Sequence, residues 1–259
     1  MVYSKVIAVK TIACIAACLV FTGLFIAGCD SGSGDAGSPA GAVPQLGEPL
    51  EKTAASVDAA RLLTQASFGV TAESLVDVMA QESLAAWIDR QMALPATLQL
   101  PRVQAFGNTS LRPPRHYIWW ETAINADDQL RQRVAFALSE IFVVSDIDYT
   151  LGNSQHGIVS YYDMLTTSAF GNFRELLEDI TLHPVMGIYL SMLRNEKADA
   201  VRNIRPDENY AREIMQLFTI GLYELNEGGT PIPVGNPQPA YTQKDVEEYA
   251  RVFLSLIHI

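Results

Sequence analysis

Residues 207–225 read DENYAREIMQLFTIGLYEL, and their spacing decides the fold class. Tyr210, Ile214, Leu217, Phe218, Gly221, Leu222 and Leu225 recur at intervals of four, three and one. That is an apolar stripe of helical period, so a helix is expected across this segment. Pro206 and Asp207 stand where such a helix would start. A second stripe runs through 128–144 on Leu130, Val134, Ala137, Leu138, Ile141 and Phe142, with Asp127 or Asp128 expected as its cap. Thr71 is placed to cap a helix through about residue 80, and 82–92 continues helically to Pro95. Thr242 followed by Asp245 forms a capping box with Asp in place of the usual Glu. Strand signals are scarce. Residues 226–241, with Gly228-Gly229 and four prolines, predict a loop or short hairpin. No internal repeat is visible. The expected fold is therefore mainly α, a multi-helix globular domain.

The densest polar cluster overlaps the first stripe, at Arg205-Pro-Asp-Glu-Asn-Tyr-Ala-Arg-Glu213. On a helix, Glu208 and Arg212 are four apart, as are Asn209 and Glu213, while Tyr210 points to the apolar side. Glu208, Asn209, Arg212, Glu213 and Gln216 then share one face. Spacing alone favours a solvated face braced by ion pairs. The functional alternative is a polar site between helices. There a carboxylate, Glu208 or Glu213, would serve as metal ligand or general base, and Arg212 would hold an anionic group. His183, ahead of Pro184 at an expected helix end, reads first as a cap or packing residue. It joins Glu208 and Glu213 as a metal candidate only if the helices fold together. The sequence identifies no cofactor.

Other arrangements lead nowhere. No His-Glu-x-x-His pattern is present. Gly152-Asn-Ser154-Gln-His156 resembles a nucleophile elbow, but His156 occupies the place of the closing glycine and no strand clearly precedes it. Asp146-Ile-Asp148-Tyr-Thr150 starts like a calcium loop, yet Leu151 fills the position that needs glycine. Arg112-Pro-Pro-Arg115-His-Tyr-Ile-Trp-Trp120 mixes bases and aromatics, which in an acidic chain suggests packing and local pairing rather than a nucleic-acid groove.

The N-terminus carries an address. Lys5 and Lys10 precede an uncharged run, TIACIAACLVFTGLFIA at 11–27, which ends Ile26-Ala27-Gly28-Cys29. A basic start, an apolar core and small residues before a cysteine describe a lipoprotein signal peptide over 1–28, with Cys29 as the lipidated residue. Acyl chains on Cys29 would hold the protein on a membrane, firmly only with more than one chain. Residues 29–56 are Gly-, Ser- and Pro-rich and read as a flexible tether. About two hundred residues follow, enough for one domain with a core of its own.

Cleavage leaves no cysteine except the lipidated one, because Cys14 and Cys18 lie in the removed segment. Disulfides, thiol catalysis and cysteine-ligated metals are excluded for the mature chain. Removing two lysines and no acid takes the formal charge from −11 to −13. Such a surface opposes binding to nucleic acid and to anionic lipid headgroups. Asp30, directly after the lipidation site, hints at inner-membrane retention. The address expected is the cell envelope, facing away from the cytoplasm.

Residues 254–259, Leu-Ser-Leu-Ile-His-Ile, are what CTG TCT CTT ATA CAC ATC encodes, the opening of a common transposon-end sequencing adapter. The native chain is therefore expected to continue beyond Phe253, and His258 receives no weight as a ligand.

Several motifs together resemble the bacterial family catalogued as domain of unknown function 1800. They begin with Ala60-Arg61-Leu62-Leu63 through Ala66-Ser67-Phe68-Gly69 and Asp128-Gln129-Leu130-Arg131-Gln132-Arg133-Val134. Phe170-Gly171-Asn172-Phe173-Arg174, His183-Pro184 with Met186-Gly187, and Asn195 with Lys197 follow. Most specific are Pro206-Asp207-Glu208-Asn209-Tyr210-Ala211-Arg212-Glu213 and Tyr241-Thr242-Gln243 with Asp245-Val246 and Ala250-Arg251. The resemblance assigns 57–253 to the N-terminal part of such a domain. It departs at Leu254-Ser255-Leu256, where the family usually proceeds to Thr-Gly-Trp. It implies a helical, exported protein and names no reaction.

Two functions are expected to compete. One is a binding or assembly module of the envelope, anchored by lipid and docking an exported protein partner. The other is an envelope hydrolase, metal-dependent in one form, using Glu208, Glu213 and Arg212 with His183 as a further ligand. A purely structural role is a third. Sequencing the source DNA across the codon for Phe253 is expected to show the frame running on into something like Thr-Gly-Trp. A stop directly after Ile259 overturns that expectation and restores His258 as a candidate.

Overall fold

The computed structural model describes residues 52–107, 112–147 and 149–254. The expected signal peptide, Cys29, nearly all of the tether, Asp148 and His258 lie outside the described residues. Helices account for most of what is described. In chain order they are α1 (Ala54–Ala66), α2 (Ala72–Met79), α3 (Leu84–Ala93), α4 (Leu100–Gln104), α5 (Arg112–Asn125) and α6 (Gln129–Ile141). There follow α7 (Tyr149–Gly152), α8 (Gln155–Thr167), α9 (Phe173–Leu182), α10 (Pro184–Tyr189), α11 (Asn209–Gln216) and α12 (Gln243–Val252). Among the described residues extended pairing is limited to isolated antiparallel bridges, so the mainly α expectation holds. No helix among them is long and apolar enough to cross a membrane.

The described residues cluster into two compact units: those up to Thr97 with Trp120–Ala137, and those of Leu98–Trp119 with those from Leu138 onward. In the first unit, Ala59, Leu63 and Ala66 sit four and three apart on α1 and meet Leu75, Val78 and Trp87 in a buried cluster. Thr71 and Ser74 form a reciprocal capping box at the start of α2, as expected of Thr71. Thr53 and Ser56 do the same for α1, and the Ser83 hydroxyl caps α3 by accepting from the Ala86 N–H.

The segment 128–133 is the glue of this unit. The Gln91 side chain accepts from the Leu130 N–H at 3.2 Å and donates to the Asp127 carbonyl at 3.0 Å. Gln129 donates to the carbonyls of Ala123 and Ala126 and accepts from the Phe68 N–H. Asp128 is 1% exposed, and its Oδ2 accepts from the Thr97 N–H and from Gln132. The Asp128 carboxylate, expected as a helix cap, fixes a distant loop, while a glutamine from α3 takes an early N–H of α6. Arg131 closes α3 by donating to the Met92 and Leu94 carbonyls. Each amide or guanidinium meets backbone that a helix end or loop leaves unpaired.

In the second unit, Asp163 on α8 reaches across 64 residues of sequence to start α4. Its two oxygens accept from the Gln99 and Leu100 N–H groups, both at 2.8 Å. Burial pushes its carboxyl up, opposed by those two donors. An aromatic train then runs through the core. Phe142 meets Phe218 at 5.1 Å between centroids and Phe173 at 5.9 Å, and Tyr210 meets Phe253 at 5.0 Å and Phe218 at 6.3 Å.

The expected helix over 207–225 is shorter than its stripe. It ends at Gln216, and the Ile220 and Gly221 N–H groups both donate to the Met215 carbonyl. Gly221, five residues past that end, has φ +79°, a left-handed conformation that glycine takes without a Cβ clash. Ala211, Met215 and Phe218 join Tyr210 in the core, whereas Leu217, Leu222 and Leu225 are exposed. The residues after Gly221 form the predicted hairpin, with bridges Tyr223 to Pro239 and Leu225 to Pro231.

Asp163→Ala orphans two N–H donors at the first turn of α4. The variant is expected to lose about 3 kcal/mol of stability in urea unfolding, with Asp163→Asn losing less because one acceptor remains. A loss below ~0.5 kcal/mol would show the cap to be dispensable.

Candidate functional site

The site is built on α11. Upstream, the Asn195 amide clasps the backbone of Asp207, accepting from its N–H at 2.7 Å and donating to its carbonyl at 3.1 Å. The Asp207 carboxylate accepts from the Asn209 N–H at 2.8 Å and so ends the loop where the helix begins. One turn on, Tyr210 is 2% exposed and its hydroxyl lies 2.6 Å from Thr181 on α9. Burial raises the Tyr210 phenol to about 12, so it stays a neutral hydrogen-bonding group.

Of the candidates, Glu208 and Arg212 are brought together as the spacing predicts. Arg212 donates to Glu208 at 3.0 Å, and Gln243, the first residue of α12, completes a triangle. The Gln243 amide donates to the same Glu208 oxygen at 2.9 Å and accepts from Arg212 at 3.1 Å. The pair is about one-third exposed, so its strength is modest. Its effect is to tie α11 to α12, joining two of the most specific sequence motifs through side chains. Sequence reasoning quoted Gln243 in a motif without placing it in the site. Only the fold brings 31 residues of separation down to one contact.

Glu213 behaves differently. One oxygen of its carboxylate is buried without a hydrogen-bond partner, and among the described residues no cation pairs with it. It lines a pocket of 370 Å³ with Glu140, Ile141, Val143, Tyr189, Leu190, Leu217 and Phe218. Glu140 also has no ion pair among the described residues. The apolar walls come from the end of α6, from α10 and from the turn after α11, three stretches whose proximity no local pattern announces.

His183 does what its position suggested. It ends α9 and starts α10, its Nδ1 accepting from the Val185 N–H at 3.3 Å, and its ring meets Tyr161 edge-on at 5.2 Å. Among the described residues no three His, Cys, Asp or Glu side chains gather in a metal-holding group, so His183, Glu208 and Glu213 do not form that set. Ser154 stands at the N-cap of α8, directly after helix α7, with no strand before it. Arg115 pairs with Asp146 and Gln155, the local bracing expected of that segment.

A family model described as "Protein of unknown function (DUF1800)" matches residues 61–254. No curated protein and no solved structure matches the chain.

Burial holds the His183 imidazole below its usual range. With the folded-state value depressed, the unfolded chain takes the proton first, so stability falls as pH drops through the ordinary imidazole range. Protonation also removes the Nδ1 acceptor. Melting temperature is expected to decline between about pH 7 and pH 5, and His183→Asn, which keeps a capping acceptor, to flatten that decline. An unchanged slope in the variant assigns the pH dependence elsewhere.

Proposed function

Since the chain belongs to the DUF1800 family, whose description carries no reaction, we propose from its own residues that it is a lipid-anchored binding module of the cell envelope. One observation carries this reading. The polar groups of the 206–213 segment are spent on backbone, on each other and on Gln243, and the carboxylate left over, Glu213, lines a mostly apolar pocket that it shares with Glu140. Leu217 in the pocket wall and Ile220, Leu222 and Leu225 after it are all about half exposed or more. Neighbouring apolar residues left open in this way suit docking of another protein. The basic start, apolar run and Ala27-Gly28-Cys29 end support export and lipidation, and the tether supports display away from the bilayer.

The hydrolase reading draws on the same unpaired Glu213 carboxylate, which is available as a general base beside a pocket. Stoichiometric metal in the purified protein, lost in Glu208→Gln, would carry that reading in its metal-dependent form.

The binding reading is tested in cells with a photo-crosslinking amino acid at Ile220, 52% exposed. One discrete protein adduct is expected, lost on Leu217→Asp, together with palmitate incorporation that Cys29→Ala abolishes. A diffuse adduct pattern indifferent to Leu217→Asp argues against a docking surface. Label that survives Cys29→Ala removes the lipid anchor.

A further inference from the structure

We infer that the Glu213 pocket receives a cationic side chain with an aliphatic stem, a lysine or arginine presented by the docking protein. The inference rests on the binding reading above and adds the partner's chemistry. Three observations converge. At 370 Å³, the cavity lies at the lower end of the roughly 300–1,000 Å³ range of small-ligand pockets, a size for one side chain rather than a polymer. Its walls are mostly hydrocarbon and aromatic, with Leu217 and Val143 open at the rim, so a stem of methylenes is covered on entry.

The third observation is electrostatic. Glu213 and Glu140 both line the pocket and neither has an ion pair among the described residues. One Glu213 oxygen is buried without any hydrogen-bond partner. A carboxylate oxygen so placed gains a partner when a charged donor arrives. The adjacent cation, Arg212, is committed to Glu208 and Gln243. An anion is repelled here, and a neutral hydroxyl leaves the charge uncompensated. A divalent metal would need more oxygen ligands than two carboxylates among hydrocarbon walls provide. The formal charge of −11 steers basic partners toward the whole chain, and the pocket supplies a place to register them.

The test uses the purified protein in nanodiscs of zwitterionic lipid and three probes: acetyl-Leu-Lys-Leu-amide, the same peptide with norleucine for lysine, and n-butylammonium. Norleucine keeps most of the stem and removes the charge. Calorimetric titration is expected to show the lysine peptide binding on the order of tenfold more tightly than the norleucine peptide, a preference erased by Glu213→Gln. Glu140→Gln, at an exposed wall position, is expected to reduce the preference about twofold to fivefold, which keeps the test open if Glu213→Gln fails to fold. Glu213→Gln is also expected to raise the melting temperature of the free protein, because it discharges an uncompensated group.

Equal affinity for the two peptides, no binding of either, or a preference that survives Glu213→Gln overturns the inference. Butylammonium binding as tightly as the lysine peptide overturns the assignment to a partner's side chain in favour of a free amine. A discrete crosslink at Ile220 without a lysine preference leaves docking standing and removes only this partner chemistry. A lysine preference without any crosslink keeps the pocket chemistry and sinks the docking reading.

Discussion

Tyr210 is the residue on which the second unit turns. Its ring meets Phe218 and Phe253 edge-on, and its hydroxyl reaches Thr181, so one side chain fixes α11 against α9, α12 and the turn that follows. Edge-to-face aromatic contacts add roughly 0.5–1.5 kcal/mol each beyond area burial, and they also set orientation. That orientation decides what the opposite face of α11 presents. With Tyr210 inward, Glu208 and Arg212 meet Gln243, and Glu213 is carried to the pocket wall. The polar site is thus a by-product of how the aromatic side is packed.

Both units solve the problem of unpaired backbone with side-chain amides and carboxylates. In the first, Gln91, Gln129 and Gln132 serve loops and helix ends with neutral amides, which donate and accept at once. Asp128 and Arg131 add charge that backbone groups, a neighbouring amide and each other, at 3.9 Å, receive. In the second, Asp163 and Asn195 take the same task over long separations in sequence. Motifs that look like candidate chemistry in a linear reading therefore turn out to be joints. Glu213 differs from Asp128, which also keeps one buried oxygen unpartnered, in that its carboxylate makes no hydrogen bond to backbone among the described residues and lines a pocket.

Legibility in the sequence followed the range of the interactions. The cap at Thr71, the capping box at Thr242, the Glu208–Arg212 pair and the capping role of His183 are local, and local spacing exposed them. The hairpin after Gly221 was legible from its glycines and prolines. What local reading missed has two physical sources. The apolar stripe runs on through Leu217, Phe218 and Gly221, so periodicity carried the helix past its true end at Gln216. The pocket walls and the Gln243 contact arise from tertiary proximity, for which a single chain carries no local signature.

The early end of α11 has a wider meaning. Had the helix continued to Leu225, Leu222 and Leu225 would belong to the same inward stripe as Tyr210 and Phe218. It stops instead at Gln216, and Leu217, Leu222 and Leu225 lie exposed. A helix that ends before its stripe does turns what would be a hidden seam into a displayed one. Beyond that end the chain passes through the left-handed Gly221, where any side chain would strain the backbone while every exposed leucine stayed the same.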